Sequence, residues 1–438
     1  MSAIFNIEFD WLENNSADEI SRCFSAAIGL SLDGQYLTQI EDFAAKTVRN
    51  QVRGSAWHLA LWFATNWWRL RWEPETENIY RNCDWCVSHG VAGAGGGVVW
   101  PHAYFVSDGN GVEISMAPKN QTPAFEPVRY MHAIRGRVAA GEFENQAGQF
   151  INAVLSRAQT FKIADKSLHE VWSAVQSERM SAEASAQRKM EALAGYDPDC
   201  APESLLRLLL SGIPQFGKTA FEEIVADARE NTEEVVTGMR EIAKGGARIT
   251  MPNVDMSPVR KSTGDEPWKQ GAVLAHELRK RLDLKDGPVT NENLSDMVRT
   301  KAAFLTGSDG FVSNSRMPFV LREDDPDTYQ FFINRKRGTT RRFALARMIG
   351  DHLAFRNDEP LRPATKTRTF RQKLQRAFAQ ELLCPTQELI DKVGTGATDD
   401  EAINDAAEFF DVSPLLVKNT LVNNRVLDRE ILGAQWMQ

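Results

Sequence analysis

Residues 341–353 read RRFALARMIGDHL and residues 377–385 read AFAQELLCP. Each stretch lies in a segment that is predicted to be helical, Arg341–Phe355 for the first and Phe370–Leu383 for the second. Upstream, a leading helix is predicted at Ala272–Leu284, followed by short β-type segments that indicate a small antiparallel sheet: Phe304–Leu305, Met317–Leu321 and Tyr329–Ile333. The order of elements is therefore a helix, a small sheet and two helices, with a terminal helix pair at about 399–425.

This order and the two quoted stretches resemble an ImmA/IrrE-type zinc peptidase domain over about residues 270–430. The first stretch is similar to the family's active-site helix, which normally ends in a form such as Arg-Phe-x-Leu-Ala-His-Glu-Leu-Gly-His. The second is similar to the family's Phe-Ala-x-x-Leu-Leu-Met-Pro signature. The resemblance implies a zincin-like domain at 271–395 and a helix-turn-helix-like tail at 396–438.

The positions that would bind zinc in such a domain hold other residue types. A zinc peptidase of this kind needs two histidines at i and i+4 of one helix and an intervening glutamate that activates water. Here those positions hold Arg347, Met348 and Asp351, and the third-ligand region at 372–374 reads QKL, ending in Leu374. An arginine cation repels Zn²⁺, and methionine cannot act as a general base. We therefore predict a degenerate zinc site with no catalytic residue, no metal and no cofactor.

Nearby polar residues leave several interpretations open. Arg347 and Asp351 lie one helical turn apart and face the same side. They could form an ion pair that replaces the charge of the metal, or remain two solvated side chains. A separate His-Glu pair begins at His276, but Lys280 stands where a second histidine would be needed, which indicates an ordinary leading helix. His352 could hold a metal only with a further partner, because adjacent helix positions do not converge on one ion.

Composition limits the class of protein. The chain has 438 residues, 42% of them hydrophobic, which is typical of a globular protein of about two to four domains. Its net charge of −8 argues against a large sequence-independent nucleic-acid surface, which needs clustered Lys and Arg. No signal pattern is visible at the N-terminus, and no stretch reaches the roughly 18 apolar residues of a membrane span. With five scattered cysteines, this predicts a reduced, cytoplasmic protein without membrane contact.

The overall fold is predicted to be α+β and mainly helical. Residues 1–165 form a Trp-rich α+β domain, residues 166–250 a helical region, and residues 251–270 an exposed linker that precedes the peptidase-like domain. Within the first domain, an alternating run at Tyr104–Met116 is broken by Asp-Gly and Asn-Gly and predicts a hairpin. Helices are predicted to follow over about 127–159.

Three motifs of the N-terminal domain each have a functional and a structural interpretation. The tryptophans at 57–72 could stack nucleobases or pack as a hydrophobic core. The GAGGG run at 93–97 could cradle a phosphate or form a flexible turn before a strand. The CDWC run at 83–86, with His89 and His102 nearby, could bind zinc or contribute two free thiols.

The C-terminal tail has the pattern of a helix-turn-helix, with Ser413 as the N-cap and Pro414 as the first residue of the second helix. That helix presents four side chains able to contact bases or phosphates: Lys418, Asn419, Asn423 and Arg425. The preceding helix is acidic, which opposes docking on DNA, so the alternative is a role in packing.

The resemblance implies a place in a bacterial stress, mobile-element or phage-defence system. Without its zinc residues, a domain of this kind would keep a peptide-recognition frame and lose cleavage. The expected function is a non-catalytic interaction or regulatory protein that binds a protein partner through an inactive peptidase-like domain. The alternatives are a DNA-binding transcriptional regulator and an enzyme with a site in the N-terminal domain, where these residues concentrate: His58, Cys83, Cys86, His89, His102 and Asp108.

Overall fold

The fold is α+β and mainly helical, with antiparallel sheets, as predicted. A computed structural model describes residues 2–75, 82–116, 128–242, 246–257, 259, 266–284, 286–308, 310–313, 315–334, 336–355, 359–394 and 400–427. The chain divides into two compact units, an N-terminal unit of Ser2–Leu206 and a C-terminal unit of Arg207–Gln438. The stretch 251–270, predicted to be the main boundary, lies within the second unit.

The N-terminal unit combines small antiparallel sheets with helices. Its strands are β1 (Phe5–Trp11), β2 (Ser25–Leu32), β3 (Gln35–Tyr36), β4 (Ile40–Asp42), β5 (Thr47–Arg49), β6 (Val52–Ser55), β7 (Ala103–Ser107), β8 (Gly111–Met116), β9 (Val128–Tyr130) and β10 (Ile134–Ala139). Its helices are α1 (Glu19–Phe24), α2 (Ala56–Thr65), α3 (Trp67–Trp72), α4 (Cys83–His89), α5 (Ala140–Phe161), α6 (Ser167–Met180) and α7 (Ala182–Leu193), and α8 (Glu203–Phe216) crosses the division. The sheets have the orders β1-β2-β3 with β6 also on β2, β10-β8-β7, and β5-β4-β9.

The predicted hairpin is confirmed. Strands β7 and β8 pair with Ala103 opposite Met116 and Ser107 opposite Val112. Asp108 stabilises the turn, because its Oδ1 accepts hydrogen bonds from the backbone N–H groups of Asn110 and Gly111. The helix predicted over 127–159 begins only at Ala140, since residues 134–139 pair with β8 and complete a three-stranded sheet.

Four of the five tryptophans of α2 and α3 lie in the core of the N-terminal unit. Trp57, Trp62, Trp67 and Trp68 are each at most 5% exposed, which confirms the packed-core interpretation for these rings. Their neighbours include other rings in edge-to-face contact, such as Trp172, whose centroid lies 4.9 Å from that of Trp67. Aromatic pairs in this geometry stabilise a core beyond the area that they bury.

The C-terminal unit is built around one four-stranded antiparallel sheet. Its strands are β11 (Ala247–Thr250), β12 (Phe319–Arg322), β13 (Thr328–Phe332) and β14 (Leu361–Pro363), in the order β11-β13-β12-β14. Its helices are α9 (Lys218–Ala228), α10 (Thr232–Ile242), α11 (Pro267–Arg281), α12 (Asn291–Met297), α13 (Ala302–Thr306), α14 (Gly338–Ala354), α15 (Phe370–Leu383), α16 (Thr386–Val393), α17 (Asp400–Phe409) and α18 (Pro414–Asn423). Helices α11, α14 and α15 pack against one another.

Most elements predicted for this unit are present, with two differences. Strands β12 and β13 confirm the β-type segments predicted at 317–321 and 329–333. The segment Phe304–Leu305 was expected to be β-like, and that expectation is wrong: both residues lie in α13 and are buried against the core. Two apolar residues carry too little periodicity to separate a strand from a buried helical turn.

The exposed linker predicted at 251–270 differs from the structure at its N-terminal end. Met251 and Met256 are at most 2% exposed and belong to the hydrophobic core. The backbone N–H of Met251 donates to the carbonyl oxygen of Asp327 at 2.7 Å, directly after the residues that pair with β13. Proline and glycine mark turns in this stretch, but the methionines between them are apolar and are buried. Residues 258 and 260–265 lie outside the described residues.

Helices α11 and α15 approach closely at Gly271. A Cβ atom at this position would lie 2.5 Å from the carbonyl oxygen of Leu374 and 2.8 Å from the backbone nitrogen of Phe378. We expect Gly271→Ala to destabilise the unit by about 1–3 kcal/mol in urea unfolding, because backbone atoms cannot yield to the added methyl group. Gly238→Ala in α10, where an added Cβ meets nothing within 4 Å, is the matched control. Equal unfolding midpoints for the two variants would contradict the prediction.

Candidate functional site

Helix α14 carries three of the four positions of the predicted degenerate zinc site into the interior. Ala344, Leu345, Met348 and Ile349 recur at helical spacing and pack into the hydrophobic core. Leu374 of α15 is buried in the same core. Met348 and Leu374 are therefore packing residues, and the polar chemistry of the site lies with the remaining two positions.

Asp351 is fully buried and is held by two arginines. Arg371 of α15 binds it through both ends of the guanidinium, with Nε 2.6 Å from Oδ1 and Nη2 2.6 Å from Oδ2. Arg362 of β14 donates to Oδ2 at 3.1 Å, and Gln375 donates to Oδ1 at 2.8 Å. Burial alone would raise the pKa of Asp351, but Arg371, Arg362 and Gln375 outweigh it and lower the pKa to about 2.

The ion pair between Arg347 and Asp351 that their spacing suggested is not present, and neither side chain is solvated. The Arg347 guanidinium instead donates through Nη2 to the carbonyl oxygen of Thr365 at 2.8 Å and to the side-chain oxygen of Gln372. Its Nε has no hydrogen-bond partner among the described residues. Burial, and then the charge of Arg376, lowers the pKa of Arg347 to about 9, so this guanidinium stays charged at neutral pH.

The bidentate contact of Arg371 explains why Asp351 pairs with Arg371 and not with Arg347. A planar guanidinium matches both oxygens of one carboxylate, and this bidentate geometry is stronger than a single contact. Spacing along α14 determines which side chains share a face, whereas the partner of Asp351 comes from α15 and β14.

Helix α9 adds a second buried carboxylate beside this cluster. Glu223 accepts hydrogen bonds from the Thr369 hydroxyl at 2.8 and 2.9 Å and from the Thr367 hydroxyl at 3.3 Å. Burial raises the pKa of Glu223 to about 7, against the opposing effects of Arg371 and Thr369. The sequence did carry a signal, since Glu223 falls on the apolar stripe of its helix between Ala220 and Ile224.

Helix α9 also holds the backbone of the segment between α14 and α15. The Asp227 carboxylate accepts the backbone N–H of Lys366 at 2.7 Å. At the other end of the helix, the backbone N–H of Thr219 donates to Glu359 at 2.7 Å. Together with Glu223, these contacts close the cluster around Asp351 to solvent from the side of α9.

His352 and His276, the two histidines weighed as metal ligands in this unit, have protein partners. His352 is buried, with Nδ1 3.3 Å from the Tyr329 hydroxyl and Nε2 3.7 Å from a carboxylate oxygen of Asp327. His276 is exposed on α11 and lies 2.9 Å from Glu381. Among the residues that the structure describes, no group of three or more His, Cys, Asp and Glu side chains is arranged to hold a metal ion.

In the N-terminal unit, His89 does not join the two cysteines. Its Nδ1 donates to the carbonyl oxygen of Phe105 at 2.8 Å, its Nε2 lies 3.0 Å from Glu73, and its ring stacks on Trp85. Because both ring nitrogens are engaged away from Cys83 and Cys86, the four-ligand zinc arrangement is not formed.

Asp108 and the glycine run make structural contacts in the N-terminal unit. Asp108 is buried and binds Arg137, with Oδ2 2.6 Å from Nε. Gly95, Gly96 and Gly97 all have positive φ values, and a Cβ at Gly96 would come within 2.9 Å of the His58 ring. Gly93 lies against Val87, where a Cβ would lie 2.1 Å from the carbonyl oxygen, so backbone conformation and close packing explain the glycines of the run without a phosphate.

The tail has the helical pair that the sequence predicts. Ser413 caps α18 by accepting the backbone N–H of Leu416 at 3.2 Å, with Pro414 as its first residue. Lys418 pairs with Asp400 of α17 at 2.7 Å. Asn419 is partly buried, while Asn423 and Arg425 are exposed at the end of the helix. Of the four side chains predicted to contact nucleic acid, Lys418 is therefore paired with a carboxylate, whereas Asn423 and Arg425 face solvent.

None of the described helices is both long and apolar enough to cross a membrane. Compared with known proteins, the chain matches no protein-family model, no curated protein and no solved structure.

Proposed function

We propose that this chain is a non-catalytic interaction or regulatory protein of a bacterial stress, mobile-element or phage-defence system. It binds a protein partner through a C-terminal unit that keeps the frame of an ImmA/IrrE-type peptidase domain. The observation that supports this most directly is the state of Asp351, whose two oxygens are occupied by Arg371, Arg362 and Gln375.

The residues of the cluster are unsuited to zinc hydrolysis. A metal ligand must present a free lone pair, and a base must accept a proton from the bound water. Asp351 has its oxygens committed to charged donors, while Arg347 and Arg371 bring positive charge to the place where a cation would have to sit. Met348 is buried and has no group that accepts a proton.

Helix α9 supports a binding role over a catalytic one. Its polar contacts to residues 359–369 cover the cluster, and Asp351 is 0% exposed. A substrate carbonyl and a water molecule would both need access to this carboxylate or to its neighbours. The charges of the cluster are instead paired inside the unit, which stabilises the frame without a metal.

The proposal predicts an intact partner and no metal-dependent cleavage. The full chain should be purified from its native host with bound proteins, incubated with and without a chelator, and followed over time by mass spectrometry. We expect a bound protein whose length stays unchanged under both conditions, and no stoichiometric zinc after incubation with the ion and desalting. Chelator-sensitive cleavage, or one zinc retained per chain and removed by the chelator, would contradict the proposal.

The same preparation tests the alternative that the chain is a DNA-binding regulator. Binding through the tail would give a mobility shift of duplex DNA that weakens steeply with salt and is lost in a Lys418→Ala, Arg425→Ala double variant. We expect no such shift, since Lys418 is paired with Asp400. A shift that the double variant removes would favour the regulator function instead.

A further inference from the structure

Two cysteines of the N-terminal unit lie on one turn of α4. Cys83 is its first residue and is exposed, while Cys86 follows one turn later and is partly buried. Neither cysteine is in a disulfide. Residues three apart on a helix have Cα atoms about 5 Å apart, which falls within the separation of about 4.4–6.8 Å that disulfides span. The Cα spacing therefore permits a disulfide between the two residues.

The same turn is anchored on its other side. Asp84, between the cysteines, lies 2.7 Å from Arg69, which also binds the buried Glu73 at 2.6 Å. The Trp85 ring stacks between His89, at 4.4 Å, and Tyr104, at 5.7 Å. The helix can therefore keep its position while the sulfur atoms change their bonding.

We propose that Cys83 and Cys86 form a reversible dithiol–disulfide couple that exchanges with small-molecule disulfides of the glutathione class. The exposed Cys83 loses its proton to solvent and attacks one sulfur of the small disulfide, which releases one thiolate. Cys86 then loses its proton and attacks the Cys83 sulfur of the mixed disulfide, which releases the second thiolate. The protein is oxidised by two electrons, and the small disulfide is reduced to two thiols.

The surroundings of Cys86 favour the oxidised form. Burial raises the pKa of its thiol, a hydrogen bond with the Tyr104 hydroxyl opposes this, and the neighbouring Cys83 raises it further. The reduced Cys86 therefore stays a neutral thiol, and its thiolate gains no stabilisation in this half-buried place. A disulfide is strongly oxidising when its reduced form is stabilised as a thiolate. Because the Cys86 thiolate is not stabilised here, the Cys83–Cys86 disulfide should resist reduction.

A disulfide here would constrain the first turn of α4. It would hold Asp84 against Arg69 and thereby preserve the buried charge network with Glu73. The couple is a modification site independent of the C-terminal unit and of its proposed partner.

The test equilibrates the full chain with mixtures of reduced and oxidised glutathione, followed by acid quenching, peptide mapping and mass spectrometry. We expect the peptide that contains both cysteines to lose the mass of two hydrogens while Cys200, an exposed cysteine without a neighbour in sequence, forms only a mixed disulfide. In Cys86→Ser, glutathione should remain on Cys83, with about tenfold more mixed disulfide than in the wild type. In Cys83→Ser, Cys86 should stay largely reduced.

Two results would overturn the proposal. One is an equal yield of glutathionylated Cys83 in the wild type and in Cys86→Ser. The other is a wild-type chain in which Cys83 and Cys200 react alike and no internal disulfide forms. Because Cys83 is exposed, Cys83→Ser is expected to fold normally and keeps the test decisive if Cys86→Ser does not fold.

Discussion

Replacing Asp351 by asparagine is expected to lower the free energy of unfolding of the C-terminal unit by about 3–5 kcal/mol. The change leaves the guanidinium groups of Arg371 and Arg362 buried without their carboxylate. A charge removed from water and deprived of its partner costs far more than a lost hydrogen bond. The amide nitrogen of asparagine would also face donors instead of offering them an acceptor.

Urea unfolding of the full chain measures this effect, with the C-terminal transition followed by hydrogen exchange. Asp405→Asn on α17 is the matched control, because it makes the same substitution at an exposed position. Its effect should stay within about 0.5 kcal/mol. A loss below about 1 kcal/mol in Asp351→Asn would show that water reaches the two arginines.

The pairing of Asp351 also makes the stability of the C-terminal unit depend on pH in the acid range. Its pKa is lowered from 3.8 to about 2 in the folded chain, so the carboxylate binds protons more readily after unfolding. The stabilisation is therefore complete above about pH 4 and is lost as the pH falls toward 2.

Local signals explain which parts of the fold could be predicted. The hairpin of β7 and β8 follows from alternating residues around a Gly-containing turn, and α14 and α15 follow from long apolar patterns. Strand β14 has only the three residues Leu361–Pro363 and exists because β12 pairs with it. A strand of that length carries no pattern of its own, so sequence alone could not place it.

The contacts of the site residues could be predicted from the sequence even less than the strands. The motif identifies Arg347 and Asp351 as unusual, but it cannot assign their partners. The partners of Asp351 come from β14 and α15, and Arg347 donates to Thr365 and to Gln372 of α15. Glu223 of α9, which lies far away in the sequence, reaches the same cluster through Thr369. Neither alternative left open for Arg347 and Asp351, an ion pair or two solvated side chains, is present. Helical spacing shows only that two side chains share a face, while a bidentate partner on another element decides the contact.

Replacing Glu223 by glutamine is expected to remove a pH dependence of about 3 kcal/mol from the stability of the C-terminal unit. The pKa of Glu223 is raised from 4.5 to about 7 in the folded chain, because burial penalises its charge. The folded state therefore binds the proton more tightly than the unfolded state. The stability that this proton contributes is fully present below about pH 4.5 and is lost as the pH rises through about 7.

The glutamine variant should consequently gain stability relative to the wild type between pH 5 and pH 8, with the difference approaching about 3 kcal/mol. Urea unfolding at several pH values, with the wild type measured in parallel, checks this. Glu233→Gln is the control, since Glu233 is exposed on α10 and the substitution removes the same charge. If the curves of Glu223→Gln and the wild type run parallel across this range, Glu223 ionises at an ordinary pH and solvent reaches α9. In that case the cluster around Asp351 is open on this side, and its closure no longer supports a binding role.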